Sequence, residues 1–216
     1  MFNEIAKSYD KLNHILSFGL DKLWRKKFVK LLKKNHYGTI ADVASGTGDL
    51  LINLQSLNAD KYYIIDPSEE MLAIADTKIC QAEKIIAHAE ALPLPDECVD
   101  LITVSFGIRN FNDVERSLSE FYRVLKNNGT LSIMEFSMPG FFLFRWIFLL
   151  YLKILVPVIG KIVSKNNSAY YYLKDSIIEF SSNVNIPELL KSEKFKKTSR
   201  KILCLGVVNI YTCHKQ

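Results

Sequence analysis

Four cysteines, four histidines, six prolines and nine glycines in 216 residues exclude several kinds of protein. Cys80, Cys98, Cys204 and Cys213 form no C-x-x-C pair, and the scattered histidines have no metal-ligand spacing. A disulfide scaffold, a redox dithiol and a structural zinc are therefore not expected, no metal is assigned, and a reducing cytoplasmic setting fits best. The opening Met1-Phe2-Asn3-Glu4 lacks the basic and apolar regions of a secretory signal. Charge of one sign is also scarce. Lys and Arg number 28 against 23 Asp and Glu, a net +5. That balance admits an anionic membrane surface but demands no polyanion, and nucleic acid is not among the expected partners. A bilayer span needs about 20 apolar residues. The longest candidate, residues 141–163, is broken by Arg145, Lys153, Pro157, Gly160 and Lys161. Internal repeats and low-complexity tracts are absent too.

What remains is ample apolar material. Hydrophobic residues make up 49% of the chain and aromatics 12%, enough for one full core and an apolar pocket. "IADVA" (40–44) reads as a short buried strand, with a helix from Asp49 to Leu57 after it. "KYYIID" (61–66) is a second strand. "PSEEMLAIADTKI" is a second helix, whose Pro67, Ser68, Glu69 and Glu70 suit a helix N-terminus. Strands follow at "KIIAHAE", "VDLITVSFG" and "GTLSIMEFS", with the helix "VERSLSEFYRVL" ended by Asn127-Asn128-Gly129. This alternation predicts a mostly parallel sheet with helices on both faces, and the tail "KKTSRKILCLGVVNIYTCHK" an antiparallel edge hairpin. The expected divisions are a helical cap over 1–36, a core over 37–138, an apolar helical segment over 139–182, and a helix and hairpin over 183–216.

Two segments stand outside the alternation. Residues 3–34 are helical and basic, with Leu20, Trp24, Phe28, Leu31 and Leu32 on one side and Lys22, Arg25, Lys26, Lys30 and Lys33 on others. They read as a solvated helix packed on the sheet or as a membrane-surface helix. Residues 141–163 read as a lid or surface helix meeting an apolar substrate, as a buried helix, or as a span.

The stretch "ADVASGTGDLL" (41–51) joins strand to helix through small residues, and Asp66 follows at roughly the 20-residue separation expected of an acid on ribose hydroxyls. Glycines there would let backbone N–H groups approach a ligand where a Cβ would collide. The dinucleotide pattern G-x-G-x-x-G nevertheless fails, because Leu51 holds the third glycine position. The phosphate loop G-x-x-x-x-G-K-[ST] fails as well. Residues 40–60 carry Asp42 and Asp49 and no Lys or Arg. Such a turn suits a cationic cofactor bearing an ammonium group, S-adenosylmethionine above all; another nucleotide or a structural turn stays open. His88-Ala89-Glu90 and Ser105-Phe106-Gly107 end the next two strands, where open α/β sheets place ligands.

Taken together, "MFNEIAKSYDKLNHILSFGLDKLWRK", "DVASGTGDL", "AEALPLPDECVDLITVSFGIRN", "YRVLKNNG", "MEFSMP" and "LVPVIGKIVSKNNSAYYYLKDSI" resemble the ubiquinone/menaquinone biosynthesis C-methyltransferases over nearly the whole chain. The resemblance implies a Rossmann-like class I methyltransferase: a seven-stranded, mostly parallel sheet with a C-terminal antiparallel hairpin, a helical N-terminal cap and a helical lid. It implies transfer of a methyl group from S-adenosylmethionine to a ring carbon of a polyprenylated quinol, with demethylmenaquinol favoured. Carried over by position, it makes Thr47, Asp66, His88, Ala89 and Ser105 cofactor contacts. Asp42, Ser45, Gly46, Gly48 and Met71 complete the expected cofactor set. At position 88 this chain has His where the family usually has Asp or Asn. Expected partners are the quinol, the inner face of a membrane touched peripherally, and a second copy of the chain.

An aromatic carbon is a weak nucleophile until its neighbouring hydroxyl ionises, so a catalyst must align that carbon and favour the phenolate. Arg109 and Asn110, after the fourth strand, are the candidate catalytic residues. Arg109 would stabilise the phenolate electrostatically, or else pair with Asp113 or Glu115. Asn110 would orient a second oxygen or cap the next helix. His14 and Tyr170–Tyr172 are weaker candidates for proton transfer or ring packing. Two other classes compete. A serine hydrolase would need G-x-S-x-G, which "TVSFG" lacks, and a non-catalytic membrane-associated protein would not need the glycine loop, Asp66 and "SFGIRN" together. A methyltransferase for a small soluble phenol or another lipid keeps the same fold.

Overall fold

The computed structural model describes the backbone of residues 2–33, 35–78, 81–158 and 168–216; Cys80, Gly160 and Lys161 lie outside them, as does the side chain of Tyr170. Seven strands form one sheet: β1 (Thr39–Val43), β2 (Lys61–Asp66), β3 (Ala82–Ile86), β4 (Val99–Ser105), β5 (Leu125–Phe136), β6 (Lys196–Leu203) and β7 (Val208–His214). Their spatial order is β3-β2-β1-β4-β5-β7-β6. β1 to β5 pair in parallel, while β7 runs antiparallel to both β5 and β6. The expected C-terminal hairpin therefore closes one side of the sheet. β1 is buried along nearly its whole length, which is why "IADV" has no polar alternation: helices cover both faces.

The helices are α1 (Phe2–Leu16), α2 (Leu20–Leu32), α3 (Leu51–Leu54), α4 (Glu69–Lys78), α5 (Val114–Val124), α6 (Phe142–Leu150), α7 (Ser168–Asn183) and α8 (Ile186–Ser192). On one face Phe28, Leu32, Leu51, Leu54 and Leu72, from α2, α3 and α4, pack against Ile40, Ile64 and Leu101. On the other, Leu118, Phe121, Ile186 and Leu190, from α5 and α8, pack against Val43, Ile102 and Ile133. A third cluster joins Leu12 and Leu16 of α1, Phe148 of α6 and Ile177 of α7.

Three local expectations need correction. The basic N-terminal segment is two helices, because Phe18 and Gly19 both adopt positive φ (53° and 74°) and turn the chain between them. The helix after the glycine loop shrinks to Leu51–Leu54 followed by a 3₁₀ turn over Gln55–Leu57. Asn127-Asn128-Gly129 do not end a helix. α5 stops at Val124, and the three residues form a bulge within β5, where the register against β4 jumps from Val99↔Leu125 to Leu101↔Thr130.

The strand order creates the site. From β1 the chain winds outward to β2 and β3, then returns to place β4 on the other side of β1. Ligands in open α/β sheets bind at such a switch point, outside the strands' carboxyl ends. Here those ends are the loops after Val43 and Ser105.

Candidate active site

Both loops at the switch point hold strained backbone. Ala44, following β1, has φ 53°, and Phe106, following β4, has φ 58°. Non-glycine residues in this left-handed region cost of order 1 kcal/mol or more and gather at functional sites. The glycines divide the work differently from the sequence expectation. A Cβ on Gly46 would meet no protein atom; its φ of 54° is what selects glycine. The true close approach is at Gly107, where a Cβ would lie 2.5 Å from that of Ala44. Gly107 thus locks the two loops together, a role that its place in "SFGIRN" did not announce.

A cavity of about 240 Å³ opens over these loops. Asp42, Ala44, Ser45, Gly46, Thr47, Asp49 and Ser105 line its floor, and Arg109 and Phe136 line it near the end of β5. Its roof is apolar: Leu16, Phe148, Tyr151, Leu152, Val156, Leu173 and Ile177. Asp21, Trp24 and Arg25 of α2 close one side. Of the expected cofactor set, the structure brings Asp42, Ser45, Gly46, Thr47 and Ser105 onto the cavity wall. Gly48, Asp66, Met71, His88 and Ala89 are not on it. Asp66 connects to it through the backbone: Gly46 N–H donates to Oδ2 and Ser68 N–H to Oδ1, each at 2.9 Å. Burial raises the Asp66 carboxyl, opposed by those two N–H groups and by His88, which places His88 within electrostatic reach of Asp66. Met71 and Ala89 are buried, and His88 is exposed.

The floor's polar atoms fit the cofactor that the sequence suggests. Asp42 takes the Thr103 hydroxyl on Oδ1 at 2.6 Å, while Oδ2 is buried without a partner. The hydroxyls of Ser45 and Ser105 are likewise buried and unpartnered. Buried polar atoms in this condition cost about 1–3 kcal/mol each, a cost that a polar ligand in the cavity removes. Desolvation pushes the Asp42 carboxyl up to about 7, against the Thr103 hydrogen bond and Arg25. A cationic ammonium beside it would favour the ionised form.

Acid at position 49 is explained by what covers it. Lys78 of α4 places Nζ 2.7 Å from Asp49 and 2.6 Å from Asp10 of α1, and the Thr47 hydroxyl donates to Asp10. The cap is therefore tied to the glycine loop by ionic contacts. Thr47 keeps its lone pairs for a ligand, since a hydroxyl both donates and accepts. His14 Nδ1 lies 2.7 Å from Asp21 Oδ2, and its Nε2 is 3.9 Å from Asp49. Ligand atoms of His14, Asp21 and Asp49 thus fall within 4.8 Å of one another, a grouping the sequence spacing did not suggest. Arg25 already neutralises Asp21 and Lys78 neutralises Asp49, so a cation would gain little there.

Arg109 pairs with Glu135, neither Asp113 nor Glu115. Its Nη1 donates to Glu135 Oε1 at 2.8 Å and to the Phe106 carbonyl at 2.6 Å, and its guanidinium lies 5.5 Å from the Phe136 ring centroid. Asn110 accepts from the Tyr172 hydroxyl at 2.9 Å, off the cavity wall, and the cap of α5 is Asp113. Tyr151, a roof residue that the sequence reading counted only as apolar bulk of the lid, donates to the Leu16 carbonyl, and burial pushes its phenol up to about 12. It stays a proton donor at neutral pH. Arg25, expected on the solvated side of its helix, is buried. The signal was present: Asp21, Arg25, Phe28 and Leu32 recur at helical spacing with Trp24 beside them, one continuous face. Leu20 and Leu31, expected inside, are exposed instead.

With this geometry in hand, comparison with known proteins is decisive. The model of the ubiE/COQ5 methyltransferase family matches residues 1–215. This chain belongs to that family. A ubiquinone/menaquinone biosynthesis C-methyltransferase from Geotalea daltonii is 40% identical over all of this chain and 94% of its own length. A demethylmenaquinone methyltransferase from Bacteroides fragilis is 39% identical over all of this chain and 91% of its own. Among solved structures, a SAM-dependent methyltransferase from Aquifex aeolicus superposes with a TM-score of 0.65, 18% identity, and 96% and 98% of the two chains covered. One from Thermotoga maritima gives 0.66 at 21% identity, with 100% and 98% covered. These likenesses bear out the class I methyltransferase fold, and membership of the ubiE/COQ5 family makes the chain a methyltransferase.

Proposed function

We propose that this ubiE/COQ5 family member transfers the methyl group of S-adenosylmethionine to a ring carbon of a polyprenylated quinol in quinone biosynthesis, with demethylmenaquinol as the favoured acceptor. One observation carries the reading. The polar floor of the cavity, suited to the cofactor's amino-acid end, continues without a break into an aromatic and aliphatic roof formed by α1, α7, and α6 with the helical turns that follow it. A small soluble phenol would not need that roof. The names of the 39–40% identical relatives point to the same acceptor class.

When bound, the cofactor supplies an electrophilic methyl group with its own leaving group. The chain's residues do the rest. Asp42, Ser45 and Ser105 orient the cofactor's amino-acid end, and Asp66 takes its ribose hydroxyls beyond the glycine loop, with Met71, His88 and Ala89 on the adenine side. Arg109 is held against Glu135 with Nε still unpartnered, and it offers N–H donors to the quinol oxygen as negative charge develops there. A guanidinium does not accept a proton at neutral pH, so Arg109 lowers the quinol's pKa and is not its base. Asn110 is held by Tyr172 off the cavity wall and is given no part in the transfer.

The roof segment has two faces. Phe148, Leu152 and Val156 point into the cavity, whereas Phe142 and Trp146 on the same segment are 75% and 59% exposed, with Phe141, Ile147, Ile154 and Leu155 beside them. No helix among the described residues is long and apolar enough to cross a membrane. The outer face therefore serves a peripheral contact, aided by the exposed Lys22, Lys26, Lys30 and Lys33 of α2 and its C-terminal turn, through which a lipid-dissolved quinol reaches the roof. The test is methyl transfer by the purified protein to demethylmenaquinol in vesicles, followed by mass spectrometry. Menaquinol, the acceptor plus one methyl group, is expected, and no product, or equal turnover on tail-less phenols, overturns the assignment.

A further inference from the structure

Arg25 has so far been given only its pairing with Asp21, yet it also lines one side of the cavity from α2, and its side chain is 10% exposed. Its Nη1 donates to Asp21 Oδ2 at 2.6 Å, and Nε is buried without a partner. Asp21 is well supplied without it: His14 Nδ1 lies 2.7 Å from the same oxygen, and the Ser17 hydroxyl donates to Oδ1 at 2.8 Å. The guanidinium lies 5.9 Å from the Phe106 ring centroid, at the strained loop after β4. The same cavity is lined by Asp42, whose Oδ2 is a buried carboxylate oxygen without a partner. Arg25 acts on Asp42 electrostatically without a hydrogen bond between them. The cavity wall thus presents a fixed cation on the α2 side and a carboxylate oxygen on the floor, both desolvated, with the Ser45 and Ser105 hydroxyls beside the latter.

A single positive or negative ligand would satisfy one of these groups and strand the other. A zwitterion satisfies both. We propose that Arg25 and Asp42 form a clamp for the α-amino-acid end of the cofactor, the guanidinium taking its carboxylate and Asp42 Oδ2 its ammonium. The inference rests on the methyltransferase reading and adds a binding residue from the N-terminal cap. It also gives the cap a purpose, because the half of the clamp carried on α2 is present only when α2 is docked on the sheet.

Isothermal titration with two nucleosides separates this role from a structural one. S-Adenosylhomocysteine carries the zwitterion; 5′-methylthioadenosine lacks it. Arg25→Met keeps apolar contact with Phe106 and should weaken S-adenosylhomocysteine by about 10- to 100-fold, the range for a charge-assisted hydrogen bond, while leaving 5′-methylthioadenosine unchanged. Arg25→Lys keeps the charge without the fork and should fall between; it serves also if the methionine variant does not fold. Decarboxylated S-adenosylhomocysteine should bind the wild type and the Arg25 variants equally. Parallel loss of both nucleosides makes Arg25 structural, and unchanged S-adenosylhomocysteine affinity removes it from the site; either result overturns the clamp. If the wild type binds neither nucleoside, the methyltransferase reading itself fails.

Discussion

Arg109 Nη1 lies 2.8 Å from Glu135 Oε1, and the two side chains are 6% and 1% exposed. Burial raises the Glu135 carboxyl while Arg109 and the Phe136 N–H oppose it. Removing one partner of such a pair leaves a buried charge unpaired, a loss of about 3–5 kcal/mol, whereas replacing both is often neutral. Arg109→Leu should therefore destabilise the protein as well as slow it, and its low turnover alone would prove nothing. The informative variant is Arg109→Met with Glu135→Leu. It should regain most of the thermal stability yet keep turnover reduced on the order of 10²-fold, with S-adenosylhomocysteine affinity intact. Recovery of turnover along with stability would show that Arg109 serves only the fold.

Asp42 predicts an opposition between stability and binding. Its ordinary pKa of 3.8 rises to about 7 in the fold, so between those values the folded chain holds a proton that the unfolded chain has released. The stability from this group is complete below pH 3.8 and is lost as pH rises through 7, a difference on the order of 4 kcal/mol by pH 8. Asp42→Asn removes the titration. Relative to wild type the ligand-free variant should gain stability from pH 5 to pH 8 in urea unfolding, and it should bind S-adenosylhomocysteine more weakly at pH 8. Identical pH slopes for the two proteins would show that Asp42 is not desolvated as described.

The cap should open when its ionic tie is cut. Lys78 holds Asp10 and Asp49 together; burial lowers its pKa, but those two carboxylates outweigh it and the net shift is upward. Lys78→Met leaves two carboxylates facing each other beside Thr47. Amide hydrogen exchange over residues 2–16 should then quicken by about 10-fold or more, while β1 and β4 remain protected. Unchanged exchange in α1 would mean that Leu12 and Leu16, packed against Phe148 and Ile177, hold the cap without ionic help.

How much of this was readable from the chain differs by kind of contact. The strands followed from apolar runs such as "IADV" and "VDLITVS", because strands covered on both faces leave a strong signal; their spatial order did not. Asp42, Ser45, Gly46, Thr47 and Ser105 were legible because a tight turn at a strand end restricts which residues can stand there. Glu135 was not, and of Arg25 only the burial was, not what it faces. Their importance lies in relations across the fold, the electrostatic reach of Arg25 to Asp42 17 positions on and the pairing of Glu135 with Arg109 26 positions back, and a single charged residue gives no hint of its distant partner. The Asn127-Asn128-Gly129 bulge misled for the opposite reason: turn-forming residues mark a local kink whether or not a strand continues through it.

The outer face of the roof yields the last prediction. Phe142 and Trp146 are exposed on α6 while Phe148, two positions beyond Trp146, faces the cavity, so their replacement should spare both core and site. An aromatic side chain that enters a membrane interface contributes about 1–2 kcal/mol, so Phe142→Glu with Trp146→Glu should lower partitioning onto anionic vesicles on the order of 10²-fold. Lys26→Glu with Lys30→Glu should weaken it further and make it less sensitive to salt, because surface charges act only within a Debye length. Turnover on a short-chain, water-soluble quinol should stay at the wild-type level in all four substitutions. Turnover on a long-chain quinol in vesicles should fall in step with binding. If the aromatic double variant still sediments with vesicles and methylates the long-chain quinol normally, α6 is not the membrane contact and its exposed aromatics serve some other partner.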